Sequence, residues 1–145
     1  MPVAVVTRSC RLDWEAPFFT SPIARPMVVT VAGAPPAALA RAAEVAEVVV
    51  AGDRDVDLAV ALDALGGRGH RAVLAEGGPI LNAQLAGAGL LDELCLSLSP
   101  RLVGGDAKRI LDGLPVPGPA PLRLCSVCAQ DGFLFLRYRS LDSRA

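Results

Sequence analysis

The hydrophobic positions of this chain follow two different periods, and their order predicts the order of its elements. Apolar runs typical of strands occupy residues 3–6, 27–31, 47–51 and 71–75. Apolar positions at helical spacing occupy residues 36–45, 58–65 and 79–88. Asp57 stands where a cap for the second helix belongs, and Gly66 follows its end. Strands and helices that alternate with short connections are typical of a parallel sheet.

The pattern changes in the C-terminal third of the chain. Residues 94–99 alternate strictly between apolar and polar, as in a strand with one buried face. A proline-rich stretch at 112–121, predicted to be extended, precedes two runs at 122–129 and 133–139 that flank the turn signal Asp131-Gly132. The sequence therefore predicts an α/β fold with a mixed sheet, parallel in the centre, with an antiparallel C-terminal hairpin and helices on both faces.

Length and composition favour one globular domain over residues 1–145. Hydrophobic residues make up 52% of the 145 residues and charged residues 20%, with a net charge of −1. Such a weak charge favours neither nucleic acid nor an anionic membrane as a partner. No apolar run is long enough for a membrane span, and the N-terminus has no leader pattern, so we expect a cytoplasmic protein. Cys125 and Cys128 have C-x-x-C spacing without a second pair, so no metal site is predicted.

The candidate chemistry centres on the connection between the fourth strand and the third long helix. Gly77 and Gly78 are expected to adopt positive φ and to allow a ligand close to the backbone. Pro79 suits the first position of a helix. The N–H groups of residues 80–82 would then point out of the helix end, where an anion such as a phosphate can bind. The alternative is a strand-to-helix turn that binds nothing.

Residues 73–105 read VLAEGGPILNAQLAGAGLLDELCLSLSPRLVGG. This stretch resembles the reductase domain of the bacterial bifunctional riboflavin-biosynthesis deaminase-reductase in its Glu-Gly-Gly-Pro turn, its Asp-Glu-Leu strand start and its Gly-Gly pair. The resemblance implies a dihydrofolate-reductase-like fold. It also implies an NADPH-dependent oxidoreductase that acts on a ribosylamino-pyrimidine such as 5-amino-6-(5-phosphoribosylamino)uracil.

The resemblance implies roles for two groups of residues and leaves the catalytic residue unassigned. The NADPH diphosphate would be held by Gly77, Gly78, Pro79, Ile80 and Leu81. Glu76 would face the substrate or a ribose hydroxyl, because a carboxylate is repelled by a diphosphate. Thr7, Arg8 and Ser9 resemble the site for the adenosine 2′-phosphate, and arginine and hydroxyl donors suit a phosphate. The alternative for Arg8 is a solvated strand end.

The sequence departs from the family pattern at its N-terminal end. The family has a central strand that ends in a Ser-x-Asp-Gly-like motif, and no counterpart occurs early in this chain. We therefore expect an N-terminally incomplete domain. A sheet that lacks a strand exposes unpaired backbone groups, so a homo-oligomer, in the simplest case a dimer, is expected. The second functional hypothesis is a non-catalytic remnant that binds a nucleotide weakly or serves as an assembly surface.

Overall fold

The computed structural model describes residues 2–113, 118 and 120–141. The chain divides into two compact units, unit 1 at Met1–Val73 and unit 2 at Leu74–Ala145. Much of the proline-rich stretch expected to be extended lies outside the described residues. No helix in the described ranges is both long and apolar enough to cross a bilayer.

Unit 1 contains three strands and three helices. They are β1 at Ala4–Val6, α1 at Pro17–Thr20, β2 at Met27–Thr30, α2 at Pro36–Val45, β3 at Glu47–Val50 and α3 at Leu58–Gly67. The strands form a parallel sheet in the order β1-β2-β3. The strands and helices predicted between residues 3 and 65 are confirmed, but α3 includes Gly66 and Gly67, which were expected to end it. The short helix α1 was not predicted, because the surrounding prolines interrupt every period.

The central strand β2 explains why helices cover both faces of this sheet. All four of its residues are buried. Val28 packs in one cluster with residues of α1 and α2, whereas Met27 and Val29 pack in a second cluster with Ala61 and Leu65 of α3. Successive side chains of a strand point to opposite faces, so β2 contributes to two cores at once. The predicted arrangement with helices on both faces is confirmed for this unit.

The start of α3 supports a first testable prediction. The Asp57 carboxylate accepts hydrogen bonds from the N–H groups of Ala59 and Val60, at 2.9 and 3.1 Å. This confirms the predicted cap. We expect Asp57→Ala to lower the free energy of unfolding by about 1 kcal/mol, because two helix N–H groups lose their acceptor. Urea unfolding measures the change. Asp57→Ser is the matched control and should retain most of the stability; an equal loss in both variants would contradict the capping role.

The described residues of unit 2 form one helix and three antiparallel strands. They are α4 at Pro79–Gly87, β4 at Glu93–Leu98, β5 at Leu122–Gln130 and β6 at Phe133–Ser140, with the sheet in the order β4-β6-β5. Asp131 and Gly132 join the hairpin with φ of 51° and 79°. Positive φ at both positions is the type I′ geometry that aspartate and glycine favour. The predicted C-terminal hairpin is confirmed.

One predicted strand is not formed. Residues 71–75 have no regular secondary structure and are exposed, and their backbone pairs with no strand in the described part of the chain. A short apolar run is compatible with a strand, but a strand exists only where a neighbour accepts and donates its hydrogen bonds. The parallel sheet of unit 1 therefore has three strands, and the segment before α4 is irregular.

Candidate functional site

The carboxyl ends of the three parallel strands meet at one edge of unit 1, and a cleft lies there. The loops that follow β1, β2 and β3 contribute its walls. The cleft has a volume of about 470 Å³ and is lined by Arg8, Ser9, Val31, Gly33, Pro35, Arg54 and Asp55. In open α/β sheets, ligands bind outside the carboxyl ends of the strands, so this cleft is the candidate ligand site of unit 1.

Hydrogen bonds anchor the loop after β1 on both sides of Arg8. The Thr7 N–H continues the pairing with β2 by donating to the Val29 carbonyl at 2.9 Å, and the Thr7 hydroxyl accepts from the Cys10 N–H at 3.2 Å. Cys10 is buried with φ of 49°, and its thiol donates to the buried Thr30 hydroxyl at 3.1 Å. These contacts fix the loop, so Thr7 shapes the turn while the next two residues line the cleft.

Arg8 forms an ion pair across the cleft. Its Nη1 donates to Asp55 Oδ1 at 3.0 Å, with 71% and 81% of the two side chains exposed. An arginine has five N–H donors, and this contact uses one of them. The remaining donors of the guanidinium can bind an anion such as a phosphate, and the Ser9 side chain lies beside them in the cleft wall.

Arg54 and Asp55 were not predicted as site residues. The loop that carries them is held against the end of β2, because the N–H groups of Ala32 and Gly33 donate to the carbonyls of Gly52 and Asp53, at 2.9 and 2.8 Å. Among the described residues, Arg54 makes no ion pair or hydrogen bond. The sequence does contain a signal for both residues. They follow a strand predicted to be parallel to the strand before Arg8, and the ends of parallel strands lie at the same edge of a sheet.

Gly52 gives this loop its shape. Its φ is 106°, and a Cβ atom at this position would collide with the carbonyl oxygen of Asp55. Only glycine takes this conformation at low cost. The tight turn at Gly52 therefore brings Asp55 back toward the end of the sheet, where it meets Arg8.

In unit 2 the predicted turn before α4 is present, but two of its expected details are wrong. Gly78 is the N-cap of the helix with φ of −64° and ψ of 170°, and neither Gly77 nor Gly78 has positive φ. Any residue adopts that conformation, so the glycines are not required by backbone strain. The Asn82 N–H is also not free, because it donates to the Gly78 carbonyl at 3.2 Å.

The remaining features of the turn agree with an open helix start. Pro79 occupies the first helical position, as predicted. The N–H groups of Ile80 and Leu81 have no acceptor among the described residues. A Cβ atom at Gly77 would collide with the Leu81 side chain, whereas a Cβ atom at Gly78 would meet no described residue within 4 Å. In the described part of the chain the helix start thus has open space beside Gly78 and two N–H groups that can donate to an anion.

Glu76 lies in the irregular segment before this turn. Its side chain is exposed, and within the described ranges it has no hydrogen-bond or ion-pair partner. No group of three His, Cys, Asp or Glu side chains in those ranges is placed to hold a metal ion. Each predicted group thus stays within its own unit: Thr7, Arg8 and Ser9 at the sheet edge of unit 1, and residues 76–81 at the helix start of unit 2.

Comparison with known proteins gives matches to one family. The model of the RibD C-terminal domain matches residues 1–132. A Methanothermobacter thermautotrophicus protein named 2,5-diamino-6-ribosylamino-4(3H)-pyrimidinone 5′-phosphate reductase is 43% identical over 90 residues, covering 61% of this chain and 42% of that protein. An Archaeoglobus fulgidus protein of the same name is 33% identical over 114 residues, covering 77% and 52%. The chain thus spans about half the length of these relatives.

Solved structures share the fold. A pyrimidine reductase-like protein from Corynebacterium diphtheriae superposes with a TM-score of 0.79 at 23% identity, covering 95% of this chain and 60% of that one. RibD from Acinetobacter baumannii superposes with a TM-score of 0.70 at 20% identity, covering 94% and 37%. The predicted dihydrofolate-reductase-like α/β fold is confirmed.

Proposed function

The chain belongs to the RibD C-terminal domain family, and from this membership we propose that it is a reductase that transfers hydride from NADPH to a ribosylamino-pyrimidine phosphate. The family match over residues 1–132 is the observation that carries the proposal. The names of the Methanothermobacter and Archaeoglobus relatives support a pyrimidine ribosyl phosphate as substrate. The related compound 5-amino-6-(5-phosphoribosylamino)uracil is the second substrate to test.

The cofactor part of the proposal uses the cleft of unit 1 for the adenosine 2′-phosphate. Arg8 offers free guanidinium donors, and Ser9 lines the wall beside it. The Ser9 hydroxyl oxygen accepts a hydrogen bond from the Arg11 N–H, so its own proton remains to be donated. Thr7 contributes by holding the turn that places Arg8 and Ser9 in the cleft wall, through the hydrogen bond that its hydroxyl accepts from the Cys10 N–H. A cation with neighbouring hydroxyl donors favours NADPH over NADH.

The helix start of unit 2 is proposed to hold the diphosphate. The N–H groups of Ile80 and Leu81 are free among the described residues, and the positive end of the α4 dipole favours an anion. Gly77, Gly78 and Pro79 form the approach to these donors. Glu76 is exposed and unpaired within the described ranges. We propose that its carboxylate accepts a hydrogen bond from a hydroxyl of the substrate or of a ribose.

The cofactor supplies the hydride, and the residues of this chain bind and orient it and exclude water. Titration of the protein with NADPH and NADH, followed by intrinsic fluorescence, tests the binding step. We expect NADPH to bind at least about tenfold more tightly. Loss of NADPH absorbance on addition of either pyrimidine phosphate then tests reduction. Tight binding without oxidation would favour the nucleotide-binding remnant, and equal or absent binding of both cofactors would refute the cofactor assignment.

We further propose that residues 1–145 form one domain that acts in the cytoplasm as a homo-oligomer. A single family model that spans both units supports one domain. Self-association is supported by unit 1, where β1 and β3 each pair on one side only in the described residues. Val3 and Val50 at these edges are 58% and 50% exposed. Edge strands of this kind favour pairing with a second chain.

The oligomer is a separate testable prediction. Light scattering across a dilution series is expected to give twice the mass of one chain, because pairing of a strand edge satisfies backbone groups that are otherwise left to water. Val50→Lys places a charge on one edge and should shift the mass toward that of a single chain. Val60→Lys, at an exposed position of α3, is the control. A single-chain mass for the wild type at every concentration would exclude this oligomer.

A further inference from the structure

The charged residues at the end of β3 are the strongest candidates for a role that the family match does not assign. Arg54 and Asp55 both line the cleft of unit 1, and both belong to the loop that Gly52 turns back toward the sheet. Asp55 occupies one donor of Arg8, at 3.0 Å, whereas Arg54 has no charged partner among the described residues. The cleft therefore contains two cations and one carboxylate.

We propose that Asp55 and Arg54 set the nucleotide preference of this cleft through opposite effects. Asp55 weakens the binding of a 2′-phosphate, and Arg54 strengthens it. This inference rests on the proposed function, since it concerns the adenosine end of the same cofactor. It adds two specificity-determining residues that lie outside the Thr7-Arg8-Ser9 segment.

The effect of Asp55 follows from its contact with Arg8. A phosphate that binds Arg8 must either share the guanidinium with this carboxylate or displace it. In the shared arrangement the phosphate and the carboxylate repel each other across a single side chain. A carboxylate in such a position instead suits an unphosphorylated ribose, because it can accept a hydrogen bond from the 2′-hydroxyl. Asp55 therefore weakens the preference that Arg8 creates.

The effect of Arg54 has the opposite sign. Arg54 lines the same cleft, and its charge is not neutralised by any carboxylate in the described part of the chain. It can approach a phosphate already bound by Arg8 and offset the charge of Asp55. The hydrogen bonds from Gly33 and Ala32 to the carbonyls of Asp53 and Gly52 hold this loop in place, so both side chains start from a fixed backbone.

The test compares adenosine 2′,5′-bisphosphate with adenosine 5′-monophosphate, which differ only in the phosphate on the 2′-oxygen. Calorimetric titration of the full chain is expected to show that Asp55→Asn binds the 2′,5′-compound about three- to tenfold more tightly at low salt, with the 5′-monophosphate unchanged or weaker. Arg54→Gln is expected to weaken the 2′,5′-compound by a similar factor. Both changes should shrink at high salt, because the groups are exposed and screened.

Asp53→Asn is the matched control, because it removes the same charge from the same loop and its side chain does not line the cleft. An Asp55→Asn variant that behaves like Asp53→Asn, or a wild type that does not distinguish the two probes, would overturn the inference. The proposed function can fail separately. If NADPH is not oxidised with any pyrimidine phosphate while the two loop variants shift the probes as expected, the specificity assignment stands and the reductase assignment falls.

Discussion

Gly78→Val is expected to abolish NADPH binding while leaving the fold of unit 2 intact. The φ of −64° and ψ of 170° at Gly78 are accessible to valine, and a Cβ atom there would meet no atom of the described residues within 4 Å. The branched side chain would instead fill the space through which a diphosphate approaches the N–H groups of Ile80 and Leu81. Loss of two charge-assisted hydrogen bonds weakens binding by about 100-fold or more. Fluorescence titration with NADPH measures the loss.

The structure makes this variant more informative than the sequence suggested. Had Gly78 required positive φ, valine would have strained the turn, and lost binding would have been confounded with misfolding. Gly87→Val, at the other end of α4, is the matched control because a Cβ atom there also has no neighbour within 4 Å among the described residues, apart from the backbone of its own helix. We expect both variants to unfold at similar urea concentrations and only Gly78→Val to lose NADPH. Normal NADPH affinity in a folded Gly78→Val protein would exclude this helix start as the diphosphate site.

The features that the sequence predicted well are those that depend on neighbours in the chain. Asp57 caps α3 through N–H groups two and three residues away. Asp131-Gly132 forms its turn through the conformations of its own residues. These caps and turns depend on residues that are close together in the sequence, so the sequence alone is enough to predict them.

The features that were not predicted from the sequence depend on contacts between residues that are distant in the chain. Whether residues 71–75 form a strand is decided by a neighbouring strand, and the apolar run itself does not specify one. Asp55 meets Arg8 across 47 positions, so neither residue alone indicates the ion pair. Their proximity follows only once β1 and β3 are known to be parallel members of one sheet. The predicted parallel pattern implies that the loops after β1 and β3 lie at the same edge of the sheet, and this was the signal for the charged residues of the second loop.

Arg8→Gln is expected to remove most of the preference for NADPH, lowering its affinity about ten- to hundredfold while NADH binding stays within about twofold. Arg8 lines the cleft, and its guanidinium can bind a phosphate through several parallel N–H donors. Glutamine keeps a similar length and a polar end but has no charge. Arg8→Lys should fall between the two, since a lysine keeps the charge and loses the planar fork. Parallel titrations with NADPH and NADH give the ratio.

Arg11→Gln separates a specific phosphate contact from a general loss of positive charge. Arg11 belongs to the same loop and is exposed, but it does not line the cleft. If long-range attraction alone drew the cofactor in, the two glutamine variants would weaken NADPH equally, and both effects would vanish at high salt. If Arg8 contacts the 2′-phosphate, its variant loses the preference at every salt concentration while Arg11→Gln keeps it. Equal behaviour of the two variants would return Arg8 to the role of a solvated strand end paired with Asp55.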